Sequence, residues 1–172
     1  IGGRNTIGLF GEVNGATIKN FTLKNSYFFV SSNNNVKTYT GSVVGVLNGT
    51  LNTVKSDNTV FVEIENTTAE YNGGMVGRAT NGTIQNCWFA GKLSGNGTRQ
   101  GGILGGLSTS GDTCLIENCL VTGTFNAPQH IGGIIGTVWT GTSLTLNNSL
   151  FAGTIEKYKG NAPTSTGTVI GD

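Results

Sequence analysis

The chain has 172 residues, of which 29 are glycine and only 11% are charged, and its net charge is +1. One ordinary domain with a continuous core fits that length. A near-neutral chain with no basic run argues against nucleic acid or an anionic membrane as partner, and no apolar run approaches the ~20 residues of a membrane helix.

Two prolines and no Gly-X-Y period exclude collagen and proline-rich disorder. Glycine, asparagine and threonine with scattered valine, isoleucine and phenylalanine favour short strands and tight turns over helices. The chain opens on Ile1 with no visible signal peptide, so it reads as a piece of a longer or processed protein.

The first element is a glycine phrase, Gly-x-apolar-apolar-Gly, present near the start as Ile7-Gly8-Leu9-Phe10-Gly11. It returns as Gly41-Ser42-Val43-Val44-Gly45, Gly73-Gly74-Met75-Val76-Gly77 and Gly101-Gly102-Ile103-Leu104-Gly105. The last two copies are Gly132-Gly133-Ile134-Ile135-Gly136 and Gly167-Thr168-Val169-Ile170-Gly171. Successive copies are 28 to 35 residues apart, the spacing of a repeat array. A second phrase, apolar-x-Asn-x-apolar, follows at Ile18-Lys19-Asn20-Phe21, Ile84-Gln85-Asn86-Cys87, Ile116-Glu117-Asn118-Cys119 and Leu146-Asn147-Asn148-Ser149. It is degenerate at Leu51-Asn52-Thr53-Val54. A third phrase closes units at Ala90-Gly91-Lys92-Leu93, Thr122-Gly123-Thr124-Phe125 and Ala152-Gly153-Thr154-Ile155. Residues 24–40, 55–72 and 156–166 fall outside the phrases and read as loops.

A strand-only unit of this length cannot bury its own apolar face, and it is too short for a four-stranded propeller blade. It suits one coil of a right-handed parallel β-solenoid (β-helix), so the chain is expected to be a single all-β repeat domain of about five coils. Stacking turns aligned positions into columns. Leu9, Val43, Met75, Ile103, Ile134 and Val169 form one, and Phe10, Val44, Val76, Leu104, Ile135 and Ile170 the next. Because strand side chains alternate, only one of these two is expected in the main core. Phe21, Val54, Cys87, Cys119 and Ser149 make a third, with Leu23, Phe89, Val121 and Phe151 two residues along. Asn20, Asn86, Asn118 and Asn148 are expected to hydrogen-bond up and down inside a bend.

The phrases Gly101–Gly105, Asn81–Gly91 and Gly132–Gly136 resemble the GLUG motif, and the resemblance is clearest from Tyr71 to Ile155. That motif occurs in large surface or secreted proteins, including bacterial adhesin-like proteins and some immunoglobulin-A peptidases outside their catalytic domains. The resemblance implies a repetitive β-rich surface module and supplies no catalytic residues. Ile7, Ser42 and Thr53 depart from the pattern.

The chemistry-bearing residues are few. Cys87 and Cys119 hold equivalent repeat positions, where two small apolar side chains in a core column is the plainer account than a redox pair. Cys114 with Cys119 is the other pairing. His130 is the single histidine and has no second ligand at metal spacing, so no metal, cofactor or catalytic role is assigned to it. Tyr39, Tyr71, Arg99 and His130 each stand two residues before a glycine phrase. They form a candidate ladder of planar side chains, either a binding strip for host glycans or matrix proteins, or a solvent-facing column over a seam. Glu63 and Glu65 share a strand face, while Asp57, Glu70 and Asp112 lie apart, so no carboxylate cluster for polysaccharide cleavage is evident. Thr-x-Thr pairs do not share a register, which argues against ice binding. Six sequons, at Asn20, Asn48, Asn66, Asn81, Asn96 and Asn147, are candidate glycan sites in a eukaryotic or archaeal host.

The expected role is a non-catalytic structural or adhesive segment of a cell-surface or extracellular protein. The alternatives are a fibre subunit that stacks end to end on its own copies, and a polysaccharide-acting β-helix enzyme.

Overall fold

The computed structural model describes residues 5–31, 37–65 and 67–171. The first coil consists of β1 (Asn5–Ile7), β2 (Phe10–Leu23) and β3 (Ser26–Val30), and the second of β4 (Thr38–Gly41), β5 (Val44–Ser56) and β6 (Val60–Ile64). The third contains β7 (Tyr71–Gly73), β8 (Val76–Gln85), β9 (Trp88–Phe89) and β10 (Lys92–Gly95). The fourth contains β11 (Gln100–Gly101), β12 (Leu104–Leu107), β13 (Thr113–Glu117), β14 (Leu120–Val121) and β15 (Thr124–Asn126). The fifth runs through β16 (Gln129–Gly132), β17 (Ile135–Val138), β18 (Ser143–Asn147), β19 (Leu150–Phe151) and β20 (Thr154–Ile155), and β21 (Thr164–Gly167) opens another turn.

Equivalent strands pair in parallel up the rod, so the chain is an all-β parallel solenoid of about five turns. The described residues form three sheets. The first is β1-β4-β7-β11-β16-β21 and the third is β3-β6-β10-β15-β20. The second gathers the ten strands between them and bends partway along.

The glycine phrase is the turn from the first sheet to the second. β7 stops at Gly73 and β8 starts at Val76, with Gly74 and Met75 in a bend between them. A Cβ on Gly77 would lie 2.6 Å from the backbone nitrogen of Thr40, so a strand leaving the turn lies backbone to backbone on a strand entering it. Only glycine allows that approach.

The bend also corrects the expectation that one apolar column is excluded from the core. Val43, Met75, Ile103 and Ile134 are 0–1% exposed, and so are Val44, Val76, Leu104 and Ile135. Both columns belong to one core, because strand alternation stops at the bend and restarts beyond it.

Opposite the turn, Gly74 backs onto Phe89, and a Cβ there would meet the ring at 2.6 Å. One coil earlier the size is redistributed. Ser42 replaces the glycine and Ser56 replaces the phenylalanine, with their hydroxyls 3.0 Å apart. The departure at Ser42 is thus a matched pair. Phe89, Phe125 and Phe151 then pack through the interior with ring centroids 6.0 Å apart at each step.

Two segments read as loops contain strands. Ser26–Val30 and Val60–Ile64 pair in parallel with one another, and Val60–Ile64 pairs with Lys92–Gly95. Their alternation is regular, with Val60, Val62 and Ile64 fully buried and Phe61 outward. These strands lack the repeat phrases, so the burial period alone marks them. β4 and β21 likewise fall within, or overlap, segments read as loops.

The asparagine column also differs from expectation. Asn20, Asn86, Asn118 and Asn148 sit at an exposed corner, with left-handed φ values of 63, 55, 54 and 44°. Asparagine is favoured there because it tolerates that backbone better than other non-glycine residues. Its amides form a partial ladder: Asn118 donates to Asn86 at 3.3 Å, and Asn86 donates to Asn52 at 3.0 Å. Thr53 holds the same corner in the second coil at φ 54°, where a β-branched residue is strained. Thr53→Asn is therefore expected to stabilise the fold by about 1 kcal/mol. Chemical denaturation of the two chains checks it, and an unchanged or lower midpoint contradicts the strain.

Candidate functional site

The four residues of the sequence-predicted ladder lie in one column. Tyr39 pairs with Tyr71, and the registers of Gln100 with Asn72 and Ile131 place Arg99 and His130 next in line. The tyrosine rings are 5.6 Å apart, centroid to centroid, and only 3% and 2% exposed. Side chains from β8 and from the ladder itself pack on them. The Arg78 guanidinium sits 5.6 Å from the Tyr39 ring, and Arg99 lies 5.4 Å from Tyr71 and 5.5 Å from Trp139. The ladder covers a seam and is buried at its two tyrosines, while Arg99 and His130 are half-buried.

Arg78 is held by a buried ion pair that sequence reasoning left unassembled. Its guanidinium donates to Asp112 at 2.8 Å and to the Thr109 hydroxyl at 2.7 Å. The same Asp112 oxygen accepts the backbone N–H groups of Ser108 and Thr109. Both charged side chains are less than a tenth exposed. The pair pins the loop between β12 and β13 to β8 and thereby closes the tyrosine seam. No sequence spacing signals it, because the partners are 34 residues apart.

The cysteines are core residues. Cys87 and Cys119 stack in adjacent coils, and all three thiols are free and buried. A hydrogen bond with Cys119, together with burial, raises the Cys87 thiol pKa above its ordinary value. Burial pushes Cys114 up to about 12. Among the described residues, no three His, Cys, Asp or Glu side chains converge on a metal site, and His130 is half-buried in its column.

A different face gathers exposed chemistry. On the outside of the third sheet, Tyr27, Phe61, Lys92, Thr124 and Thr154 form one column. Phe29, Glu63, Ser94 and Asn126 form the next. Tyr27, Phe29 and Phe61 are 61, 45 and 45% exposed, and the Tyr27 and Phe29 rings lie 6.1 Å apart and nearly parallel. The Tyr27 hydroxyl donates to Glu63 Oε2 at 2.6 Å, which raises the tyrosine pKa and fixes the carboxylate.

Beside these rings lies a groove of about 300 Å³ lined by Glu63, Glu65, Lys92, Ser94, Asn126 and Tyr158, among others. Its wall is the segment after β20. That segment is tied down by Asn126 Nδ2 donating to the Lys157 carbonyl at 2.8 Å and by the Tyr158 hydroxyl donating to Asn96. Sequence reasoning weighed Glu63 and Glu65 but missed the aromatic residues, which stood in segments read as loops. The signal that could have found them is the two-residue alternation of Ser26–Val30 and Val60–Ile64.

Of the sequons, Asn20, Asn81 and Asn147 are exposed. Asn48 is half-buried and donates to Asn14, and Asn96 accepts from Tyr158. Asn66 lies outside the described residues. Comparison of the chain with family models, with curated proteins and with solved structures finds no match.

Two outcomes test this account of the buried groups. Asp112→Ala leaves Arg78 buried without its partner and is expected to cost about 3–5 kcal/mol, whereas Arg78→Met combined with Asp112→Leu costs much less. Denaturation midpoints of the single and double variants decide it. Thiol labelling with Ellman's reagent at about pH 8 is expected to modify none of the three cysteines in the folded chain and all three in denaturant. A rapidly reacting thiol in the folded chain contradicts the core assignment.

Proposed function

We propose that this chain is a non-catalytic structural and adhesive segment of a cell-surface or extracellular repeat protein. The observation that carries the reading is the division of labour within each coil. The stacked apolar residues of the glycine phrase are committed to the core, with Val43, Met75, Ile103 and Ile134 only 0–1% exposed. The outward face of the third sheet instead leaves Tyr27, Phe29 and Phe61 at 61, 45 and 45% exposure, available to contact something other than the rod itself. A regular rod that carries exposed rings suits spacing and display at a surface. The GLUG resemblance and the exposed sequons support the same location.

Because successive coils pair through the same parallel sheets, a second reading is a fibre subunit whose coils stack on those of another copy. Sedimentation over a range of concentrations separates the two. A segment that displays and adheres stays monomeric, whereas a fibre subunit grows with concentration and is blocked by Leu9→Lys or Val169→Lys. Adhesion is checked by retention of the chain on matrix-protein and polysaccharide coats, with release of reducing ends measured alongside. Retention without release is expected. Release that disappears in Glu63→Gln or Glu65→Gln overturns the non-catalytic reading.

A further inference from the structure

We infer that the outer face of the third sheet is a binding site for a neutral polysaccharide. The inference rests on the adhesive reading and supplies its ligand class. Three features of the face select that chemistry.

The first is what the face can offer. Backbone groups of β6, β10 and β15 are engaged in parallel pairing on both sides, and those of the edge strand β3, which bears Tyr27 and Phe29, lie in the plane of the sheet, so the face itself presents side chains only. A peptide adding as a strand needs free backbone groups and would lie beside β3 in the plane of the sheet, not across the face. A ligand recognised through side chains alone is one with its own flat apolar faces and a fringe of hydroxyls. Pyranose rings have that character, since their C–H faces pack on aromatic rings and their hydroxyls bond to carboxylates and amides.

The second is the arrangement. Tyr27, Phe29 and Phe61 form an exposed aromatic platform across the first two coils. The next coils continue the same two columns as Lys92 and Thr124, and as Ser94 and Asn126. Apolar support at one end thus passes into hydrogen-bonding groups at the other, along the rod. Glu63 stands where the two meet and is held there by the Tyr27 hydroxyl at 2.6 Å, so its position is set before a ligand arrives. Tyr158 closes the far side of the groove from the tethered wall segment.

The third is charge. The groove is lined by two glutamates, Glu63 and Glu65, and two lysines, Lys92 and Lys159, so their charges cancel. Glu156 lies 4.0 Å from the Lys92 ammonium and offsets it further. A polyanion such as a uronate polymer or nucleic acid has no basic field to hold it. A neutral chain is not penalised.

The folded chain is to be run through native affinity gels containing soluble β-glucan, xylan or alginate, and titrated with chitohexaose. Retardation by at least one neutral sugar polymer, or saturable binding of chitohexaose, is expected, with no retardation by alginate. Combined Tyr27→Ala, Phe29→Ala and Phe61→Ala should weaken binding by about tenfold or more. Glu63→Gln should weaken it by a smaller factor. The rings are exposed, so circular dichroism and the denaturation midpoint should confirm that these variants still fold.

No binding to any neutral sugar, binding to alginate alone, or binding unchanged in the triple variant overturns the inference. So does retention on matrix-protein coats that depends on the same three rings. That last result would leave the adhesive reading intact, with a protein as its ligand. Release of reducing ends from a bound polymer would instead remove the non-catalytic reading and keep the groove.

Discussion

Backbone-to-backbone contact at the glycine phrase is the constraint on which the rest of the rod depends. In each coil the chain must turn from the first sheet into the second within two residues. The outgoing strand then lies directly on the backbone of an incoming strand, where Gly77 leaves no room for a Cβ beside Thr40. Once that turn closes, both apolar residues of the phrase point into the same interior and stack on their counterparts above and below. Parallel hydrogen bonding carries the register upward from coil to coil. Every other column follows from that register.

The contact has consequences at both faces of the turn. Inside, the space denied to a side chain at Gly74 is filled by Phe89, and the Ser42–Ser56 pair shows that the volume can be shared differently while the register is kept. Outside, the residues just before the phrase stack as Tyr39, Tyr71, Arg99 and His130, and the seam is closed by Arg78 and Trp139. The buried ion pair of Arg78 with Asp112 then serves the rod by holding that cover in place. The tyrosines of that column are thus committed to packing.

The third sheet is under a different constraint. Its inward residues join the apolar core, while its outward residues, among those described, meet chiefly one another and the short wall segment after β20. Freedom from packing is what lets Tyr27, Phe29, Phe61 and Glu63 differ from coil to coil. Chemistry that varies along an otherwise regular rod is where a solenoid can hold something specific, because the repeating columns are already committed to one another.

The repeated phrases alone determined the parallel solenoid, its coil count and the membership of its columns, because stacking makes equivalent positions neighbours whatever lies between them. The left-handed corner was present in the same letters, in the recurrence of asparagine at one position, although its exposure was not. Tertiary structure decided what the period does not encode. It placed both apolar columns in one core, because a bend within the phrase interrupts strand alternation. It buried the tyrosines of the ladder against Arg78 and Arg99, and it joined Arg78 to Asp112 across 34 residues. It also turned Ser26–Val30 and Val60–Ile64 into strands, since pairing with a neighbouring coil supplies the hydrogen bonds that a single unit lacks. The exposed aromatic face exists only because those two segments pair.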